Sequence, residues 1–258
     1  MKIIISPAKK MNQDTDTLEY QGMPVFLQEA QQLKNYMKSL TYEEAKAIWK
    51  CNDKIAALNY QRFAQMDLKR CLTPALLAYE GIQYQYMAPA VFEDHSWEYV
   101  EEHLRILSGF YGVLKPFDGI VPYRLEMQAK IHMEPYHDLY TFWNRKIFDE
   151  VYQETDVVLN LASREYSKCM TDHLTRDKRF ITCRFGELKQ GKVIETGTKV
   201  KMARGEMVRF LAQNNIENAG DVKGFRGLDY VFAEEFSDQD TYVFLKEAYR
   251  YEETNGMD

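Results

Sequence analysis

The sequence predicts a mixed α/β (α+β) fold: one compact domain, residues 1–258, in which helices surround a central mixed sheet. Three observations carry this. The chain has 258 residues, 45% hydrophobic and 28% charged, an ordinary globular balance with enough length for a sizeable core. Short apolar or β-branched runs recur from the first residues to the last third. The segments between them space their apolar residues three and four apart, the mark of amphipathic helices. No internal repeat, low-complexity tract or interdomain linker interrupts the pattern.

Lys2–Ile5 reads as the first strand. Met1–Ser6 is too short for a signal-peptide core, and no apolar run approaches the roughly 20 residues of a membrane span. A cytoplasmic protein is expected, and a monomer. The first third, residues 24–108, reads as a helical scaffold. Pro24 suits a first helical turn, and Phe26, Ala30, Leu33 and Met37 share one face. Thr41-x-x-Glu44 is a capping box, Asn52 or Asp53 opens a helix through Phe63, and Thr73-Pro74 opens one that stops at Gly81. Asp138 begins a helix to about Tyr152. Asp156–Ser163 is the clearest strand, apolar enough to be buried on both faces. Phe180–Leu188 and Lys192–Ile194 form a hairpin turning at Gln190-Gly191. A helix of about 198–213 follows, then two closing strands at Asp229–Ala233 and Thr241–Leu245. The Glu-rich end at 252–256 is expected to fray.

The stretch Leu104–Met127 organises the middle of the chain. Trp97, Val100, Leu104 and Leu107 keep helical spacing up to Ser108-Gly109, where glycine permits a left-handed end. Gly109-Phe110-Tyr111-Gly112 makes a short link before Val113-Leu114 and Lys115. This is the outline of a helix–hairpin–helix over about 94–118, or of an ordinary helical corner. In the first case hairpin amides meet a DNA phosphate and glycine allows the close approach. Asp118 closes a Pro-Phe-Asp turn. Arg124 and Glu126, two apart, share a face on a strand, as a joint polar site or a solvated pair.

Net charge is −6, which argues against indiscriminate nucleic-acid binding. The balance is uneven, because residues 160–226 hold 14 Lys and Arg against 8 Asp and Glu. A basic region on an acidic body can bind a polyanion locally. Its focus is the helix carrying Lys201, Arg204, Gly205 and Arg209, which span roughly 140° of one side at about 100° per residue. Gly205 there would admit a phosphate or another backbone. Lys9 leaves the first strand in a loop suited to phosphate or carboxylate. Asn160, Ser163, Glu165 and Tyr166 gather where the clearest strand ends, a common place for a site, although Ser163 also suits a helix cap. Cys51, Cys71, Cys169 and Cys183 show no paired spacing and are expected as free thiols. His132, Glu134 and His137 lack a standard metal spacing. No metal and no cofactor are expected.

The segments ISPAK (5–9), LSGFYGVLKPFD (107–118), PYRLEM (122–127), DLYTFW (138–143), LNLASREY (159–166) and KMARGEMVRF (201–210) occur in this order. Together they closely resemble the YaaA family of bacterial peroxide-stress proteins, from Met1 to about Val243. The resemblance implies a fold outside the common superfolds and DNA binding through a helix–hairpin–helix and a positively charged cleft. It also implies a role against hydrogen peroxide, protecting DNA and protein and limiting free intracellular iron. Gly109, Gly112 and Lys115 match the hairpin; Lys9, Lys201, Arg204 and Arg209 match the basic positions.

Two readings of function follow. In the first, the chain binds duplex or single-stranded DNA with weak sequence preference, through Lys9, Ser108, Gly109, Tyr111, Gly112, Lys115, Arg124, Lys201, Arg204 and Arg209. Such binding is salt-dependent, and Phe110 or Tyr111 can stack at bases. In the second, it is an enzyme on a nucleobase, an abasic site or a small anionic substrate, glycosylase- or lyase-like. Its catalytic candidates are Lys9, Glu126 and Lys201, a lysine serving as nucleophile if burial lowers its pKa. Ser6, Asp118, Asn160, Ser163, Glu165 and Tyr166 would line its pocket. An effect on iron is expected to be indirect.

Overall fold

The computed structural model describes residues 1–246. Its core is a mixed eight-stranded sheet, and the chain reaches it early. Strand β1 (Lys2–Ile5) has three isoleucines with no solvent exposure, as expected of a strand covered on both faces. A short β2 (Lys10–Met11) follows. Helices α1 (Leu27–Ser39), α2 (Tyr42–Trp49) and α3 (Asp53–Gln65) form the first scaffold. The predicted caps are present: Thr41 and Glu44 close the capping box, and Asn52 Oδ1 accepts from Ile55 N at 3.0 Å.

Thr73-Pro74 does not open a long helix. It forms the short strand β3, followed by one turn of α4 (Ala75–Ala78), then β4 (Tyr79–Glu80) and α5 (Ile82–Met87). Helix α6 (Asp94–His103) ends before the predicted stop, and Leu104–Ser108 is strand β5. A turn through Gly109–Tyr111 leads to β6 (Gly112–Leu114), antiparallel to β5. The predicted helix–hairpin–helix is therefore a helix followed by a β-hairpin, with no second helix. The helical spacing at Leu104 and Leu107 is overridden because β5 pairs in parallel with β1, Ile3 opposite Leu104 and Ile5 opposite Ile106.

Beyond β7 (Gly119–Ile120), the helix expected over 138–152 is two, α7 (Leu139–Trp143) and α8 (Lys146–Tyr152). They are split at Asn144, whose φ is 43°. Strand β8 (Val157–Leu161) lies beside β1 and runs into α9 (Arg164–Thr171). Strands β9 (Arg179–Lys189) and β10 (Lys192–Ile194) make the predicted hairpin, with Gln190 and Gly191 both at positive φ, as a tight two-residue turn requires. Helix α10 (Gly197–Gln213) and the closing pair β11 (Tyr230–Phe232) and β12 (Thr241–Lys246) complete the sheet. The Glu-rich segment 252–256 lies outside the described residues.

The strand order is β11-β12-β9-β8-β1-β5-β6, with β10 on β9. The five central strands are parallel, and β6, β10 and β11 are antiparallel additions. From β1 the chain builds outward on one side through β5 and β6. It then crosses to the other side for β8, β9 and β12. The strand order thus reverses at β1 and β8. In open parallel sheets a crevice forms at such a point, beyond the carboxyl ends of the strands.

Candidate functional site: a cationic cleft at the sheet switch point

Register fixes how the crevice is built. Ile5 sits opposite Leu161, so the loops after β1 and β8 emerge side by side. The Ser6 hydroxyl accepts from Ser163 N at 2.8 Å and lies 3.2 Å from Ser163 Oγ. Ser6 O accepts from Tyr84 Oη at 2.9 Å. Ser163 is the residue before α9, but its side chain makes no capping bond; it ties two loops together instead. Asn160 is buried below them. Its Oδ1 accepts from Ala162 N at 2.9 Å and its Nδ2 faces Thr182 Oγ1 at 3.3 Å, so it ends β8 and does not line the cleft.

The cleft has a volume of about 420 Å³, within the usual range of small-molecule sites. The chain after β1 brings Ser6, Lys9 and Lys10 to it, and 123–126 brings Tyr123, Arg124 and Glu126. Ser163, Glu165 and Tyr166 come from the end of β8, Lys201 and Arg204 from α10, and Glu80, Gln83 and Tyr84 from around α5. Five cationic side chains thus face three carboxylates.

At one wall Glu126 Oε1 lies 2.9 Å from Arg124 Nη2 and 3.3 Å from Lys9 Nζ. The side chains of Arg124 and Glu126 are each 11% exposed, that of Lys9 65%. The expected strand-face pair is thus a buried ion pair with a lysine over its mouth. Arg124 Nε, Glu126 Oε1 and Arg204 Nε are buried without an aligned hydrogen bond, an uncommon condition for buried polar atoms. All three belong to residues lining this cleft. Burial pulls the Arg204 guanidinium below its usual pKa, against the opposing charge of Glu195. Lys201 is exposed and, among the described residues, has no carboxylate within 4 Å.

Glu165 is half-buried, and its pKa is raised. Burial is the largest cause; Glu126 adds to it, while the Gln128 amide and Lys9 oppose it. Gln128 N donates to Glu165 Oε1 at 3.3 Å. The tyrosine walls are more strongly perturbed: burial lifts Tyr84 and Tyr166 well above the usual phenol range and Tyr123 to about 12. These phenols stay neutral at any ordinary pH and serve as flat walls and hydrogen-bond partners.

The glycine hairpin supports this cleft from behind. Ser108, Phe110 and Tyr111 have no solvent exposure. Ser108 Oγ accepts from Phe110 N at 3.1 Å and Tyr111 N at 2.9 Å, and lies 2.6 Å from Tyr123 Oη. Tyr123 Oη is in turn 2.8 Å from Tyr79 Oη. The turn amides that were expected to face DNA phosphate are therefore already occupied in the core. A Cβ on Gly109 would meet Leu125 O at 2.5 Å and the Glu126 carbonyl carbon at 2.9 Å. The close approach that glycine permits is to the backbone that carries Arg124 and Glu126. Gly112, at φ +76°, faces the Trp143 and Phe26 rings instead. Gly205 behaves similarly: an added Cβ would meet Gln83 O at 2.1 Å, so the backbone it admits is α5, which packs on α10.

Lys115 and Asp118 lie elsewhere. Lys115 Nζ is 3.7 Å from Glu154, which pairs with Lys2 and Arg105 near the start of β1. Asp118 lines a separate cavity of about 460 Å³ with Glu101 and Arg105. Burial raises its pKa to about 6, Glu101 contributing and the Lys115 amide opposing. Arg209 is half-buried on α10, about 12 Å from Lys201 at 1.5 Å per residue. It is not among the residues lining the cleft. The sequence did not single out Lys10, Glu80, Gln83, Tyr84 or Tyr123 as site residues. Only Tyr123 carried a signal, standing next to Arg124.

Cys169 and Cys183 are buried, with thiol pKa values raised by burial, that of Cys169 to about 12. Cys51 is half-buried and Cys71 exposed; all four are free. Among the described residues no three His, Cys, Asp or Glu side chains gather to hold a metal ion, and no helix is long and apolar enough to cross a membrane.

Comparison with known proteins places this architecture. A UPF0246 protein of Lachnoclostridium phytofermentans is 54% identical over 246 residues, covering 95% of this chain and 96% of that protein. One from Desulfitobacterium hafniense is also 54% identical over 246 residues, covering 95% and 98%. One from Pediococcus pentosaceus is 51% identical with the same coverage. The family model described as peroxide stress protein YaaA matches residues 1–236. With that match over nearly the whole chain, the protein belongs to the YaaA family of peroxide stress proteins.

Proposed function

We propose that this peroxide stress protein binds DNA through the cleft at the ends of β1 and β8, taking a phosphate-bearing nucleotide unit into it. The observation that carries the reading is the convergence of Lys9, Lys10, Arg124, Lys201 and Arg204 on one cavity. Lys201 at its mouth is left without a carboxylate partner. A phosphate supplies acceptors for such cations, and the walls of Tyr84, Tyr123 and Tyr166 offer flat faces for a base. The basic side of α10, extended by Arg209, would follow the adjoining strand. Protection of DNA, and an indirect restriction of free iron, are the consequences the reading assigns to the stress response.

The test is a titration of labelled single-stranded, duplex and abasic-site DNA, and of a free nucleoside monophosphate, at several salt concentrations. Wild-type protein should bind with a steep salt dependence. Lys201→Ala combined with Arg204→Ala should lower the salt slope by roughly 1.5, at about 0.7 per lost contact to a single strand. Unchanged affinity and slope in the double variant would refute the assignment. A second reading, an enzyme on a small anionic substrate, is favoured by the burial of Arg124 and Glu126. It predicts that the free nucleotide binds as well as DNA does.

A further inference from the structure

Two of the three carboxylates in the cleft lie in unlike surroundings. Glu126 is nine-tenths buried and paired with Arg124 and Lys9. Glu165 has no ion pair within 4 Å among the described residues; it accepts from backbone amides, Gln128 N at 3.3 Å and that of Met127. Both line the same cavity, as do Tyr123 and Tyr166. Two carboxyl groups with divided roles, one acid and one anionic, are the machinery that cleaves glycosidic bonds. The cavity's volume suits a single nucleotide turned out of its stack.

We propose that the cleft hydrolyses the N-glycosidic bond of the bound nucleotide, with Glu165 as general acid to the leaving base and Glu126 as general base to water. The inference rests on the nucleotide reading above and adds a reaction to it. The bond between C1′ and the base nitrogen breaks with its electron pair going to the nitrogen, which takes the proton of Glu165. Water adds its oxygen to C1′ and gives a proton to Glu126. Exchange with solvent then returns Glu165 to its acid form and Glu126 to its anion. The products are a free base and a sugar bearing a hydroxyl at C1′. Arg124, 2.9 Å from Glu126 Oε1, positions Glu126.

Several features of the site support the division of labour. Burial raises the Glu165 pKa, which favours its acid form relative to an exposed carboxyl. The groups facing Glu165 are Glu126 from the 122–127 segment, Lys9 from the loop after β1, and the phenols Tyr140 and Tyr166. Only Lys9 opposes the protonated state among these. The exposed Lys9 beside a carboxylate is better placed to hold charge than to attack carbon, so hydrolysis is favoured here over a lysine-bound intermediate.

The test incubates the full chain with oligonucleotides carrying oxidised, deaminated or alkylated bases and with free nucleoside monophosphates. Released base is read by chromatography and abasic sites by alkaline strand cleavage. The wild type is expected to release base, with kcat/KM falling as pH rises through the Glu165 pKa, which burial raises. Glu165→Gln should lower kcat by about 10²–10⁴-fold, the usual contribution of a general acid, with DNA affinity titrated separately so that lost chemistry is told apart from lost binding. Binding without base release from any of these substrates would overturn the reaction and leave the binding site standing. Base release unaltered in Glu165→Gln would overturn the assigned acid. If that variant fails to fold, a wild-type kcat/KM that does not fall with rising pH does the same. Failure of every ligand to bind would remove the nucleotide reading and this inference together.

Discussion

Replacing Gly205 by alanine gives an outcome of opposite sign to the one helix propensity predicts. Gly205 lies in the middle of α10, where Gly→Ala normally stabilises by about 1 kcal/mol. Here the new Cβ would stand 2.1 Å from Gln83 O and 2.9 Å from Met87 N. Both contacts are backbone atoms of α5, so no side chain can swing away. Restoring ordinary contact requires the two helices to part by about 1 Å. Overpacking of this kind costs about 1–3 kcal/mol, and more when backbone must move. Net of the propensity gain, a loss of roughly 1–2 kcal/mol is expected. At about 2–4 °C per kcal/mol for a domain of this size, Tm should fall by roughly 2–8 °C in a thermal melt. Because α5 and α10 carry Gln83, Tyr84, Lys201 and Arg204 to the cleft, DNA affinity should fall as well. A raised Tm with affinity kept would refute the helix-packing argument and return Gly205 to an open basic face.

Two further substitutions probe the β5–β6 turn and the second cavity. Gly109→Ala should destabilise the protein by about 1–3 kcal/mol, because its Cβ collides with the backbone of Leu125 and Glu126; denaturant unfolding measures this, and a variant as stable as wild type but deficient in DNA binding would favour a phosphate-facing hairpin. Asp118→Asn tests the buried carboxyl away from the cleft. Its folded pKa of about 6 exceeds the unfolded value near 3.8, so the folded state holds the proton more tightly. Its contribution is therefore fully favourable below about pH 4 and is lost as pH rises through 6. The asparagine variant should melt higher than wild type at pH 8 and little differently at pH 4, a difference of up to about 3 kcal/mol at the higher pH for a pKa raised by roughly two units. Equal melting shifts at both would contradict the burial argument.

Local chemistry carried much of the sequence reading. Thr41 with Glu44, Asn52, and the Gln190-Gly191 turn fold as their short-range signals require. Leu104–Ser108 did not, since residues buried on both faces of a strand show no alternation. Spacing continuous with Trp97 and Val100 then reads as helix. Only pairing with β1, a hundred residues distant, decides the matter. The site divides along the same line. Lys9, Arg124, Glu126, Glu165, Lys201 and Arg204 are charged groups at places where chemistry is expected, and the fold brings them to one cavity. Asp118, Lys115 and Asn160 looked equivalent in sequence, but the first two line a second cavity and the third is held at a strand end. Tyr84 and Gln83 were invisible because their role depends on α5 packing against Gly205. The hairpin glycines were expected to admit a DNA phosphate; the space beside them is instead filled by the Leu125–Glu126 backbone and by the Trp143 and Phe26 rings.

The most direct test of the account is hydrogen exchange of the full chain with and without saturating single-stranded DNA. Binding in the cleft predicts new protection in residues 6–10, 123–128, 163–167 and 198–209, with no change over 104–118 beyond its already slow exchange. Protection centred on 104–118, with the cleft segments unaltered, would contradict it.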